Sequence, residues 1–125
     1  MTAAPALFDF ALLEENWGSP EDTLFQRILG LFRLESARLC AEIGAALQTG
    51  DRVRLRATAH TLKGAAGNVC AQSLAEAASA LDDSALTAAL ATLEAQFAKL
   101  QQLANAVEAA LAAGGPRHPV FPRAR

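Results

Sequence analysis

The chain has 125 residues, 52% of them hydrophobic and 6% aromatic, with a formal net charge of −2 at pH 7. That length suits one domain with a single core. No broad basic field exists to collect phosphates, which argues against a general nucleic-acid binder. β-branched residues are scarce beside Ala and Leu, so an all-α fold is expected. The opening MTAAPALFDFALLEENW lacks a basic region, and Asp9 interrupts its apolar residues, so it does not read as a secretory signal. No apolar run approaches the length of a membrane span. With only Cys40 and Cys70 there is no disulfide framework, and the reduced cytoplasm is the expected location.

In chain order, residues 5–15 predict a short helix with Leu7, Phe8, Ala11 and Leu12 on its apolar side. WGSPEDT then gives a start signal. Ser19 can cap, Pro20 suits the first helical position, and Glu21 and Asp22 sit at the positive end of the dipole. The helix that follows is expected to reach about Gln48, with Leu24, Ile28, Leu31, Phe32, Leu39, Ile43 and Leu47 on its buried face. Gly50 is the expected stop and Asp51 the cap of the next helix. A loop this short makes the two helices antiparallel neighbours.

The segment from Asp51 is expected to break near Cys70–Ser73, followed by a shorter helix ending around Leu81. Ser84 reads as the cap of a last long helix striped by Leu86, Leu90, Leu93, Phe97, Leu100, Leu103 or Ala104, Val107 and Leu111. Gly114, Gly115 and Pro116 end it. The expected architecture is an all-α antiparallel four-helix bundle with a short additional N-terminal helix. Residues 1–16 form that helix, 17–112 the bundle, and 113–125 a flexible Pro- and Arg-rich tail.

The stretch AHTLKGAAGNV, residues 59–69, carries Gly64 and Gly67 inside a helical pattern, where each costs roughly 1 kcal/mol relative to alanine. At about 100° per residue, Leu55, Ala59, Leu62, Ala66 and Val69 share one arc of roughly 80°. His60 points about 140° away from its centre, toward water. Gly64 and Gly67 flank that direction one and two turns on, and Arg56 and Lys63 sit on the adjoining flanks. Small helical residues often permit close helix packing, but these two face away from the apolar stripe. The pattern reads as an exposed imidazole between cations, with side-chain bulk cleared so that another surface can approach.

The run His60-Thr61-Leu62-Lys63-Gly64-Ala65-Ala66-Gly67 closely resembles the signature of histidine phosphotransfer (HPt) domains, the carriers of multistep two-component phosphorelays. The resemblance extends over residues 17–112: a capped long helix, a Gly-Asp turn, the histidine helix and a last helical hairpin. Two positions depart from it. Many members carry a glycine where this chain has Cys70. Many also place an amide near the active histidine where this chain has Asp82, which accepts rather than donates.

The resemblance implies that His60 takes a phosphoryl group from an aspartyl phosphate of a response-regulator receiver domain and passes it to another receiver. Lys63 would stabilise the phosphoryl oxygens, and Val53, Arg56, Gly64 and Gly67 would lie under the docked partner, with Phe8, Phe25 and Leu29 either beside them or buried. A neutral imidazole nitrogen is a competent nucleophile near neutral pH. No Gly-rich nucleotide loop or magnesium-binding carboxylate cluster is present in the sequence, so no ATP chemistry and no bound cofactor are expected. The Mg²⁺ would come with the receiver. Expected partners are receiver domains or a hybrid sensor kinase, with no nucleic acid and no membrane, and the chain is expected to be a monomer. Met1 favours a free-standing carrier over one excised from a larger kinase. The rival is an adaptor of the same shape that binds a receiver or kinase without carrying phosphate.

His118, in the tail, and Cys40 are not expected to form a site. Cys70 lies about 15 Å along the helix from His60, too far to share a metal with it.

Overall fold

The computed structural model describes residues 7–113. No strand occurs among them, and the helices are α1 (Phe10–Trp17), α2 (Thr23–Thr49), α3 (Arg52–Asn68), α4 (Gln72–Ser84) and α5 (Leu90–Ala112). α2 packs on α3, α3 on α4, α4 on α5, and α5 returns to α2, closing a ring around one core. Two residues join α2 to α3, three join α3 to α4 and five join α4 to α5. Links this short turn each helix back on its predecessor. The fold is therefore the antiparallel four-helix bundle with a short extra N-terminal helix that the sequence predicts.

The core is built from the predicted face of α3 (Leu55, Ala59, Leu62, Ala66 and Val69, all 2% exposed or less) against Leu74, Ala78 and Leu81 of α4 and Leu93 and Leu100 of α5. Each buried leucine contributes roughly 2 kcal/mol relative to an exposed one. Fully buried alanines on α3 and α4 let those two helices approach closely. On α2 the expected stripe needs correction. Leu24 and Leu31 are 58% and 60% exposed, whereas Phe25, Leu29, Phe32, Leu39 and Ile43 form the core face. Leu24 and Leu31 stand about 100–120° from the centre of that face, so they belong to its outer edge. Phe8, Phe25 and Leu29 are all buried, so they are core residues and not part of an exposed patch.

Three helix ends differ from the sequence reading. α1 begins at Phe10, with the Asp9 side chain accepting from Leu12 N, and runs to Trp17. The expected start at residue 5 falls outside the described residues. α2 begins at Thr23 because residues 19–22 close a turn first. Ser19 N–H donates to Asp22 Oδ2 at 3.1 Å and Asp22 N–H donates to Ser19 O at 2.9 Å. Ser84 ends α4 and does not cap α5; its carbonyl accepts from Thr87 and Ala88 N–H in the connection, and α5 starts at Leu90. Leu86 thus lies in the connection and is 46% exposed, and Leu90 is 49% exposed, so neither is a core residue. α5 ends at Ala112, and the residues expected to stop it and the tail beyond Ala113 lie outside the described residues.

The remaining ends agree with expectation. Gly50 adopts a left-handed φ of 70° and Asp51 N–H reaches back to Ala46 O, while the Asp51 side chain accepts from Arg54 N. The break after α3 has the same form with a different residue. Ala71 N–H bonds Ala66 O at 2.9 Å, and Cys70 holds the left-handed position at φ 58°. Helices usually place glycine there. α1 seals this break: Trp17 Nε1–H donates to Asn68 O at 2.6 Å and Asp9 N–H to Cys70 O at 2.9 Å. These bonds satisfy carbonyls that the end of α3 leaves without helical partners.

Candidate functional site

The burial of one face of α3 fixes the direction of the other. With Ala59 and Leu62 fully buried, His60 is driven outward and its side chain is 72% exposed. The α3–α4 pairing brings Asp82, the residue after buried Leu81, to the edge of the same seam, where its side chain is only 12% exposed. Asp82 Oδ2 lies 3.0 Å from His60 Nδ1. Arg56, one turn before the histidine, places Nε 3.8 Å from the other carboxylate oxygen.

An ionised carboxylate only accepts hydrogen bonds. The contact therefore puts a proton on Nδ1, and in the neutral ring the lone pair resides on Nε2. The departure from an amide at position 82 thus preserves a contact to the ring. Arg56 meets the carboxylate that holds the histidine, a role that the helical plot alone did not distinguish from simple flanking of the ring.

Gly64 and Gly67 are exposed, and a Cβ built on either would meet nothing within 4 Å. Gly44 on α2 behaves otherwise: its Cβ would sit 3.4 Å from Phe97 Cζ of α5, which marks a real helix–helix approach. The two glycines after His60 serve no packing within the described residues. They leave the flank of the histidine helix bare. Lys63 is exposed and takes part in none of the ion pairs among the described residues. Val53, two turns before His60, is 73% exposed.

His60 does not stand on a flat surface. An open groove of about 880 Å³ contains it, with Val53 and Arg56 on the α3 side and Asp82, Asp83, Leu86 and Thr87 opposite. Sequence reasoning missed the second wall, because it assigned Leu86 to a buried helix stripe. It also missed Arg52, whose Nη1 donates to Ala85 O at 3.1 Å and Ala88 O at 2.7 Å. One signal was available. A cation in the first turn of a helix opposes that helix's dipole, so Arg52 calls for a partner elsewhere. Here it finds the carbonyls that follow α4.

Both thiols lie away from this site. Burial pushes the Cys40 and Cys70 thiols above their ordinary value, and at Cys70 the charge of Asp9 adds to it. Among the described residues no helix is long and apolar enough to cross a membrane.

The Hpt domain profile matches residues 27–113. Among solved structures, histidine-containing phosphotransfer protein B (HptB) from Pseudomonas aeruginosa PAO1 is similar with a TM-score of 0.76 and 30% sequence identity, covering 89% of this chain and 95% of that one. A search of curated proteins gave no match.

Proposed function

The chain belongs to the Hpt domain family, and on that premise we propose that it is a phosphorelay carrier whose phosphoryl-accepting group is His60. The observation that carries this reading is the presentation of the imidazole. Nδ1 is occupied by Asp82 at 3.0 Å while the ring is largely open to solvent beside two bare helical turns.

In the transfer, the Nε2 lone pair attacks the phosphorus of a receiver's aspartyl phosphate. An N–P bond forms, the acyl phosphate P–O bond breaks, and the receiver's carboxylate leaves. Positive charge develops on the ring as this happens. The Asp82 carboxylate, hydrogen-bonded to Nδ1–H, lies where it stabilises that charge. Lys63 reaches the incoming phosphoryl oxygens from the next turn. In the return direction the carboxylate of a second receiver attacks, the N–P bond breaks, and the neutral ring is regenerated. Any Mg²⁺ for either step would come with the receiver. Receivers, free or within a hybrid sensor kinase, are the partners; the carrier acts as a cytoplasmic monomer.

The test is phosphotransfer read by mass spectrometry. Receiver domains charged with a small-molecule phosphodonor are mixed with the protein and with His60→Gln. The expected result is an acid-labile, base-stable phosphoryl adduct on the parent chain and none on the variant. Tight receiver binding without any adduct would favour the adaptor reading instead.

A further inference from the structure

The groove around His60 has a second wall on a different element. Leu86 and Thr87 belong to the α4–α5 connection, and they face Val53 on the first turn of α3 across the same opening. Scattered exposed apolar residues are ordinary. Here Val53, 73% exposed, and Leu86, 46% exposed, come from separate elements and line one groove with the reactive histidine. The charged lining is mixed, Arg56 with Asp82 and Asp83, so net charge does not select the occupant.

Arg52 ties the connection across to α3. Ala85 is fully buried, and its carbonyl and that of Ala88 both accept from the same nitrogen of Arg52. Arg52 thereby ties the loop that carries Leu86 to the helix that carries Val53 and His60. A guanidinium donating to two carbonyls fixes a loop better than an apolar contact, because it constrains direction as well as distance.

We infer that the Val53–Leu86 cleft is the specificity-determining part of the docking surface, that its occupant is an apolar side chain of a receiver domain adjoining the phosphorylated aspartate, and that Arg52 is a positioning residue for it. This rests on the carrier reading above. A receiver that brings its aspartyl phosphate within bonding reach of His60 Nε2 must lie over the opening that His60 shares with Val53 and Leu86. Contacts near the rim of the reacting group then set how tightly each receiver is held, while His60 and Asp82 set the rate of the chemical step.

The experiment is single-turnover transfer from a phosphorylated receiver at increasing concentrations of this protein, which separates half-saturating concentration from maximal rate. Leu86→Asp and Val53→Asp are each expected to raise the half-saturating concentration at least tenfold while changing the maximal rate less than about twofold. Arg52→Gln is expected to raise it about threefold to tenfold, with Arg52→Lys recovering part of that loss. Circular dichroism and thermal melting establish that each variant is folded. Titration with the receiver held in its activated state by beryllofluoride supplies affinities that need no phosphoryl transfer. If His60 is never labelled, the carrier reading fails, yet the beryllofluoride titration still reads the cleft. Half-saturating concentrations and affinities within twofold of the parent chain for both Leu86→Asp and Val53→Asp would overturn the inference. A fall in maximal rate alone for Arg52→Gln would overturn its positioning role.

Discussion

His60 and Asp82 are joined across the α3–α4 seam by a contact of 3.0 Å between Nδ1 and Oδ2, with the histidine open to solvent and the aspartate nearly buried. On the carrier reading proposed above, that asymmetry divides the labour: the nearly buried carboxylate would orient the ring, and the exposed imidazole would meet the substrate.

Asp82→Ala is therefore expected to slow phosphoryl acceptance about tenfold, the equivalent of about 1.4 kcal/mol. Asp82→Asn keeps an acceptor oxygen for Nδ1–H and loses only the charge, so its rate is expected to fall about threefold. Nitrogen-15 NMR of the imidazole supplies the independent check. The Nδ1-protonated tautomer is expected to predominate over the Nε2-protonated one in the parent chain, and Asp82→Ala is expected to shift the balance toward Nε2. An unchanged tautomer together with an unchanged rate would remove Asp82 from the mechanism.

Gly64 and Gly67 invite a prediction in which stability and activity move in opposite directions. Alanine at either position enters open space and gains helix propensity, so each Gly→Ala change is expected to stabilise the fold by about 0.5–1 kcal/mol and raise Tm by a few degrees. On the carrier reading, a larger side chain at Gly64 would occupy the space over which a receiver must pass. Gly64→Leu is expected to retain a cooperative melt near that of the parent chain while lowering receiver-dependent transfer at least tenfold. Loss of folding in Gly64→Leu would mean that the glycine packs against something after all.

The bundle was legible in the sequence wherever one local rule acted alone. Asp51 capped, Gly50 stopped, and the 100° periodicity of α3 separated Leu55, Ala59 and Leu62 from His60. The reading failed where two rules competed. Ser19-Pro20 looks like a helix start, but Ser19 and Asp22 bond each other into a turn and delay α2 to Thr23. Ser84 looks like a cap, but its carbonyl is spent in the connection after α4. Leu24, Leu31 and Leu86 fit the helical spacing of an apolar stripe, but which face meets a neighbour depends on the other helices, and all three are exposed. The histidine and its glycines were visible in one short segment. The Arg52 contacts and the groove wall join residues about thirty positions apart, and no local pattern encodes them.

Among the described residues, Cys70 holds a left-handed backbone conformation that side chains rarely adopt. A side chain at φ 58° costs about 1 kcal/mol relative to glycine, but the Cys70 thiol is buried and contributes a comparable amount by packing. Cys70→Gly is accordingly expected to change stability by less than about 1 kcal/mol. Cys70→Val places a β-branched residue in the left-handed region and is expected to cost about 2 kcal/mol or more. Chemical denaturation of the two variants distinguishes these outcomes, and a valine variant as stable as the parent would show that the turn relaxes to another conformation.

The same burial makes stability fall at alkaline pH. Cys40 and Cys70 have thiols raised above the ordinary value of 9.0, chiefly by desolvation. Below that value both states hold the protons and the contribution is fully present. As pH rises through 9 toward the folded-state values, the unfolded chain releases protons that the folded chain keeps, so unfolding is favoured. The urea midpoint is expected to drop between about pH 8 and about pH 10 more steeply in the parent chain than in a Cys40→Ala, Cys70→Ala double variant. Alanine at both positions removes the titrating groups while leaving every arginine and lysine in place, so the difference between the two slopes isolates the thiols. Parallel slopes would mean that the buried thiols titrate alike in the folded and unfolded chain.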